Sequence, residues 1–165
     1  MRWDDKFRAR KRVLGCSETQ LKRKVRFSAS IKPIPLAKHD WPLTRAGKTV
    51  VVTGWGRTAR NRPLSDVLLK VTLKTVSNVQ CARQDGLTSR QASTLLCAQS
   101  PTPYSTRTTC FGDSGGPMVA RNGNKWILYG INSFGDGCQG RKPDVYARIS
   151  IHCDWIEGVS GVKCV

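Results

Sequence analysis

The stretch TTCFGDSGGPMV, residues 108–119, places a serine between an aspartate and two glycines. Glycines on both sides of a serine permit a tight turn with unusual backbone angles. Such a turn can aim the backbone N–H groups of Gly112 and Ser114 at one point, where two donors would stabilise the oxyanion of acyl transfer. The Ser114 hydroxyl would be the nucleophile, and it needs an adjacent base because serine alone is weakly nucleophilic. The chain has only two histidines, His39 and His152.

Short β-branched and aromatic runs make up most of the chain after Thr49. KTVVVTGWG, NKWILYGINSFG and PDVYARIS are apolar runs bounded by turn residues, and SDVLLKVTLKTV alternates apolar and polar residues. Short strands separated by turn residues are typical of an antiparallel sandwich or barrel. One helix is predicted at the C-terminus, because Ile151, Trp155 and Val159 recur at every fourth position. We therefore expect an all-β fold with a C-terminal helix.

Seven cysteines in 165 residues indicate disulfide bonds. None forms a CxxC pair, and none has zinc-site spacing with histidine, so we expect no metal site and no cofactor. Disulfides persist in oxidising compartments. Because seven is odd, at least one thiol lacks a partner within the chain.

The formal net charge of +17 is partly segregated: residues 1–26 carry ten Lys or Arg and three Asp or Glu, a local +7, and the remaining +10 is spread over 139 residues. A field of this sign attracts polyanions such as nucleic acid or heparin-like glycans. We expect residues 1–20 to form a solvated basic arm, with polyanion contact as its functional alternative. This N-terminus shows no apolar signal-peptide core, and no apolar run approaches the roughly 20 residues of a membrane span.

The order of the segments resembles the chymotrypsin/trypsin family of serine proteases. VVTGWGRT, SDVLLKVTLKTVSNVQC and TLLCAQ are similar to parts of that family's second barrel, and CFGDSGGPMV is similar to its nucleophile loop. YGINSFGDGC resembles the strand that binds the substrate backbone, and KPDVYARISIHCDWI resembles the last strand and the C-terminal helix. The resemblance runs from about Leu21 to Val162. It implies an antiparallel second barrel over residues 21–165, with a remnant of the inter-barrel segment and no first barrel, after a non-matching arm at 1–20.

The resemblance also implies two disulfide bonds, Cys81–Cys97 and Cys110–Cys138. The second bond would tie the nucleophile loop to a wall of the specificity pocket. Cys16, Cys153 and Cys164 have no implied partner. Cys153 is predicted either to be a buried helix thiol or to form a bond with Cys164.

Carried over from the family, the catalytic roles fall on three neighbouring residues. Ser114 would be the acylated nucleophile, and Gly112 and Ser114 would form the oxyanion hole. Asp113 would receive the α-ammonium group that zymogen cleavage frees.

The specificity pocket implied by the family would have Thr108 at its base, Gly135 at its entrance and Asp144 on its lower wall. Ser133, Phe134 and Gly135 would contact the substrate backbone. Trypsins have an aspartate where this chain has Thr108. Asp144 would either restore a negative pocket that favours Lys or Arg, or shorten the pocket and favour small side chains.

The family places its catalytic histidine and aspartate in the first barrel, and this chain shows neither motif. No AAHC-like string is present, and the expected place of the aspartate falls near Gly15, where no family motif is visible. His39 lies in the stretch that resembles the inter-barrel connection, and His152 lies in the C-terminal helix region, so neither is assigned as the base. A second barrel without its partner should also expose apolar surface.

The resemblance therefore implies a serine endopeptidase that hydrolyses peptides or proteins through an acyl-enzyme, here truncated and inactive. The alternative is a non-catalytic, protease-like protein that binds peptides or regulates proteolysis. The family and the cysteines imply an extracellular location, although no signal peptide is visible.

Overall fold

A computed structural model describes residues 7–13, 16–21, 23–102 and 105–165. The first described elements are two antiparallel strands, β1 (Phe7–Val13) and β2 (Cys16–Leu21), paired from Phe7 opposite Leu21 to Val13 opposite Cys16. Both strands lie in the region expected to form a basic arm, where the sequence indicated no secondary structure. The sequence did not indicate them, because FRARKRV lacks the alternation of apolar and polar residues that marks a half-buried strand.

Six further strands close into an antiparallel barrel, which confirms the predicted all-β fold. Around the barrel, the order is β3-β4-β5-β8-β7-β6. The strands are β3 (Thr49–Gly54), β4 (Leu69–Val76), β5 (Leu95–Gln99), β6 (Pro117–Asn122), β7 (Lys125–Phe134) and β8 (Asp144–Arg148). The seam between β3 and β6 is short: only Val51 and Val52 of β3 are in register with β6, whereas all six β3 residues pair with β4.

The barrel interior holds the main apolar core. Successive strand side chains point to opposite faces, so β4 buries Leu73 while Thr72 is exposed. Every barrel strand contributes to this core. Its fully buried members include Val50, Val52, Leu73, Leu96, Met118 and Tyr146.

Among the described residues, helices occur at two places, and only the C-terminal helix was predicted. Between β4 and β5 lie α1 (Asn78–Asp85) and α2 (Ser89–Ser93). These helices are short and polar, so apolar periodicity did not reveal them; their signals are the N-caps Ser77 and Thr88, whose hydroxyls accept from backbone amides. The C-terminal helix is α3 (Cys153–Ser160), after a 3₁₀ turn. Within the described ranges, no helix has the length and hydropathy needed to cross a bilayer.

The segment that resembles the inter-barrel connection lies between β7 and the C-terminal tail. Residues 35–38 form backbone hydrogen bonds with Leu128 on one side and with Val165 on the other. The tail is also held by a disulfide between Cys153 and Cys164. Of the two alternatives for Cys153, the bonded one is therefore found.

A buried ion pair fixes the same region to β8. The Arg148 guanidinium donates to both carboxylate oxygens of Asp40, and the Ser150 hydroxyl donates at 2.6 Å. Burial favours the neutral acid, but the hydrogen bonds from Arg148 and Ser150 hold the pKa of Asp40 below its ordinary value.

Large apolar side chains remain exposed outside the core. Trp55, Leu64, Val67 and Leu68 each expose more than half of their surface, and Phe111 exposes about half. Soluble domains seldom leave so many large apolar side chains uncovered within one part of the chain. The first four lie between β3 and β4, and Phe111 lies in the loop that carries Ser114.

Candidate active site

Ser114 lies on an exposed turn between Cys110 and the start of β6. Gly112 and Gly115 have φ of 97° and 82°, angles that side chains with a Cβ rarely adopt. The amide of Gly115 donates to the Asn132 carbonyl at 2.8 Å, and the Asn132 amide donates to the Gly116 carbonyl at 2.8 Å. Strand β7 therefore holds the turn through its backbone and leaves the serine facing solvent.

Two amides in this turn are not used by the surrounding protein. Within the described part of the chain, the N–H groups of Gly112 and Ser114 donate no hydrogen bond. Their neighbours Asp113, Gly115 and Gly116 all donate to backbone carbonyls. The two free donors are the pair that the sequence singled out.

The Asp113 carboxylate lies beneath the turn and binds two backbone amides. Oδ1 accepts from Gly56 at 2.8 Å, and Oδ2 accepts from Cys110 at 2.9 Å. Asp113 also lines a cavity of about 590 Å³, together with Thr108 and the cationic residues Arg57 and Lys70. The carboxylate is thus fixed in orientation at the edge of an open space.

The expected pocket residues Thr108 and Asp144 are in direct contact. The Thr108 hydroxyl donates to Asp144 Oδ2 at 2.5 Å, and the Thr109 amide donates to the same oxygen at 2.9 Å. Asp144 is 1% exposed, and its Oδ1 has no hydrogen-bond partner among the described residues. That oxygen faces Gly135, since a Cβ on Gly135 would lie 2.5 Å from it.

Burial dominates the titration of Asp144 and raises its pKa to about 6. The hydrogen bonds from Thr108 and Thr109 oppose this rise, and the nearby charge of Asp136 adds to it. Ionised Asp144 therefore has too few donors to offset its desolvation.

The other expected pocket residues lie at the end of β7. Ser133 and Phe134 are the last two residues of the strand, and Gly135 follows them; all three are exposed. This strand end lies next to Asp144, because a Cβ on Gly135 would be 2.5 Å from Asp144 Oδ1.

Both disulfides implied by the resemblance form. Cys110–Cys138 joins the nucleophile loop to the connection between β7 and β8, and Cys81–Cys97 joins α1 to β5. The side chain of Cys16 lies outside the described residues.

Neither histidine forms a hydrogen bond with Ser114 within the described part of the chain. His39 is exposed and lies between residues 37 and 40. His152 is 6% exposed and directly precedes α3. Burial lowers the pKa of His152. The expected place of the family's aspartate, near Gly15, lies outside the described residues.

Sequence reasoning missed four residues that shape the site: Asn132, Gly56, Thr109 and Asp136. The first three act through backbone groups, which side-chain type does not reveal. Asp136 had a local signal, because it stands in the turn-forming run SFGDGCQG.

Comparisons with known proteins identify the family of the chain. Residues 17–156 match the family described as Trypsin. The chain is 37% identical to Trypsin-1 of Astacus astacus over 132 residues. The aligned region covers 79% of this chain and 53% of that protein. It is 36% identical over 120 residues to Serine protease 1 and Serine protease 2 of Drosophila melanogaster, covering 72% of this chain and 42% of each. The chain thus spans about half the length of these relatives. Its fold, its motifs and these matches show that it belongs to the trypsin family of serine proteases.

Proposed function

We propose that this chain carries the acyl-accepting part of a serine endopeptidase site. Ser114 is the nucleophile, and the amides of Gly112 and Ser114 form the oxyanion hole. The observation that carries the proposal is the pair of N–H groups on either side of Asp113 that have no acceptor among the described residues, in a turn held by β7. In the complete family mechanism, a histidine takes the hydroxyl proton, the serine attacks a peptide carbonyl, and water releases the acyl-enzyme.

The same proposal makes the chain inactive when it is alone. Loss of the base costs serine hydrolases on the order of a millionfold in turnover. An oxyanion hole and substrate binding by themselves leave roughly 10³- to 10⁴-fold acceleration over water. Because neither imidazole forms a hydrogen bond with Ser114 in the described part of the chain, we expect this chain to supply only the second contribution.

A fluorophosphonate probe tests both parts of the proposal. We expect slow labelling of Ser114 that free imidazole accelerates, and no labelling of this position in Ser114→Ala. Exposed Ser160 serves as an internal control, because its hydroxyl donates to the Ile156 carbonyl. Fast labelling without imidazole would refute the inactivity, whereas equal labelling of Ser114 and Ser160 under all conditions would refute the oxyanion hole.

Asp113 is proposed as the acceptor for the α-ammonium group of an activated N-terminus. Its position at the edge of the 590 Å³ cavity supports this role, since a chain end there would be close to a fixed carboxylate. Peptides that begin with a free α-amino group should bind more tightly than their acetylated forms. Equal affinities would contradict the role.

The pocket of Thr108, Asp144 and Gly135 is proposed to accept a cationic side chain. The unpartnered Asp144 Oδ1 supports this choice, because an N–H donor from Lys or Arg would satisfy it and offset the buried charge. Ser133 and Phe134 would contact the backbone of the bound peptide. Titration with benzamidine should show binding that Asp144→Asn weakens; binding of small apolar amides instead would favour the shortened pocket.

A non-catalytic role is the second candidate, because neither histidine forms a hydrogen bond with Ser114 among the residues that the structure describes. The chain would then hold peptides or proteins without cleaving them. Retention of members of a peptide library with no products detected would favour this role, and turnover of the retained peptides would exclude it.

Two further proposals concern location and partners. An extracellular location is supported by three disulfides. Contact with polyanions is proposed for the basic N-terminal residues. Deletion of residues 1–12 should lower the salt concentration that elutes the chain from heparin, and an unchanged elution would remove this proposal.

A further inference from the structure

The connection between β7 and β8 is organised by one carboxylate. Asp136 Oδ1 accepts from the amides of Gln139 at 3.0 Å and Gly140 at 3.1 Å, and Oδ2 accepts from Arg141 at 2.7 Å and Lys142 at 3.3 Å. The Gln139 side chain also donates to the Asp136 carbonyl at 3.0 Å. Hydrogen bonds to an ionised acceptor are roughly twice as strong as neutral ones. A single side chain thus fixes four consecutive residues of the connection.

This charge is stabilised by backbone groups rather than by a lysine or arginine side chain. In the described ranges, Asp136 forms no ion pair, and the nearby Lys142 ammonium is 4.0 Å from Asp85 instead. Asp136 is half-buried. A carboxylate bound by backbone amides orders its own loop, whereas a solvated surface carboxylate would be hydrogen-bonded to water.

The fixed loop contacts the segment that carries the base of the candidate pocket. Gly140 packs so closely against this segment that a Cβ at this position would lie 1.9 Å from the Ser105 carbonyl oxygen. The Ser105 hydroxyl accepts from the Arg107 amide at 3.1 Å, and the next residue, Thr108, donates to Asp144. A continuous path of contacts therefore joins the Asp136 loop to the Thr108–Asp144 pair.

The disulfide alone does not provide this support. Cys138 is bonded to Cys110 and anchors the loop at one point before the four fixed residues. Residues 139–142 follow that anchor, and their amides are held by Asp136. Without the carboxylate, the stretch between Cys138 and β8 would lose those four bonds while the disulfide stayed intact.

We propose that Asp136 is a positioning residue for the base of the candidate specificity pocket. Its carboxylate fixes residues 139–142, and Gly140 within this stretch packs against the segment 105–109. The effect of Asp136 on substrate choice rests on the proposed function, whereas the contacts described above do not depend on it. Asp136 does not itself touch the ligand in this scheme.

Amide hydrogen exchange on the oxidised 165-residue chain tests the proposal without any activity. In Asp136→Ala, the amides of residues 139–142 should exchange about tenfold faster or more, as expected for loss of a charge-assisted bond. The deciding amide is that of Thr109, which is bonded to Asp144 and distant in sequence. It should also exchange several-fold faster. Faster exchange confined to residues 139–142 would overturn the positioning role.

Asp136→Asn is the milder variant if the alanine variant does not fold. An amide side chain has one acceptor oxygen, so one pair of the four loop amides should stay protected from exchange. The other pair and the amide of Thr109 should exchange faster. Asp66→Asn is the matched control, because Asp66 is exposed. It should leave all these amides unchanged. Unaltered exchange of Thr109 in Asp136→Asn, despite faster exchange in the loop, would also overturn the proposal.

Discussion

Replacement of Asp144 by asparagine should make the stability of the chain less dependent on pH. Burial raises the pKa of Asp144 from 3.8 to about 6, so the folded chain holds this proton more tightly than the unfolded chain. The corresponding stability is present below the unfolded value of 3.8 and is lost as the pH rises through about 6. Asparagine keeps an acceptor for Thr108 and Thr109 but has no proton to lose.

The size of the effect follows from the shift. A rise of about 2 pKa units, at about 1.4 kcal/mol per unit, gives about 3 kcal/mol. Relative to the wild type, the free energy of unfolding of Asp144→Asn should therefore increase by about 3 kcal/mol between about pH 4 and about pH 8. Most of this change should occur between pH 4 and 7, where the buried carboxyl ionises.

Urea unfolding followed by tryptophan fluorescence, with the disulfides oxidised, measures this difference at each pH. Asp66→Asn controls for the loss of one negative charge at an exposed position. Groups that do not interact with Asp144 titrate equally in both proteins and cancel in the difference. If the curves of the wild type and Asp144→Asn stay parallel from pH 4 to 8, burial does not govern this carboxyl and the reasoning fails.

Three further changes test other contacts. Asp113→Ala leaves two backbone amides without an acceptor and should lower the free energy of unfolding by about 3 kcal/mol in urea; a loss near zero would mean that water replaces the carboxylate. Arg148→Met isolates buried Asp40 and should cost about 3–5 kcal/mol at neutral pH. Because Arg148 lowers the pKa of Asp40, this loss should shrink as the pH falls below 3.8, and a loss independent of pH would contradict the pairing. Replacing Cys153 and Cys164 by serine opens a short loop and should cost about 3 kcal/mol by calorimetry; an unchanged Tm would show that the tail contributes nothing.

The parts of the site that were predicted are those encoded by contiguous residues. The string around Ser114 specifies its own turn through glycines on either side, and the family resemblance gave the partners of Cys81 and Cys110 because the segments keep their order. The barrel followed from short apolar strands separated by turn residues.

The parts that were not predicted depend on contacts between distant segments. Nothing in the residue type of Asp136 shows that four amides surround it, and the burial of Asp144 follows from the packing of Thr108 and Thr109 against β8. The two helices between β4 and β5 depend on caps rather than on an apolar face. Strand β1 carries four cationic residues and β2 has few apolar residues, so neither shows a strand pattern.

The short seam between β3 and β6 has a consequence for how the chain folds. The β3–β4 hairpin forms from neighbouring segments, whereas joining β3 to β6 requires a long intervening loop to close. Closing this loop costs conformational entropy, and the few backbone hydrogen bonds of the short seam offset little of that cost. Barrel closure should therefore come late in refolding. Until it occurs, β3 and β6 present two unpaired edges, and at high concentration these edges can join different molecules. Refolding by slow dilution from denaturant should therefore give a higher yield of monomer than rapid removal of denaturant at high protein concentration.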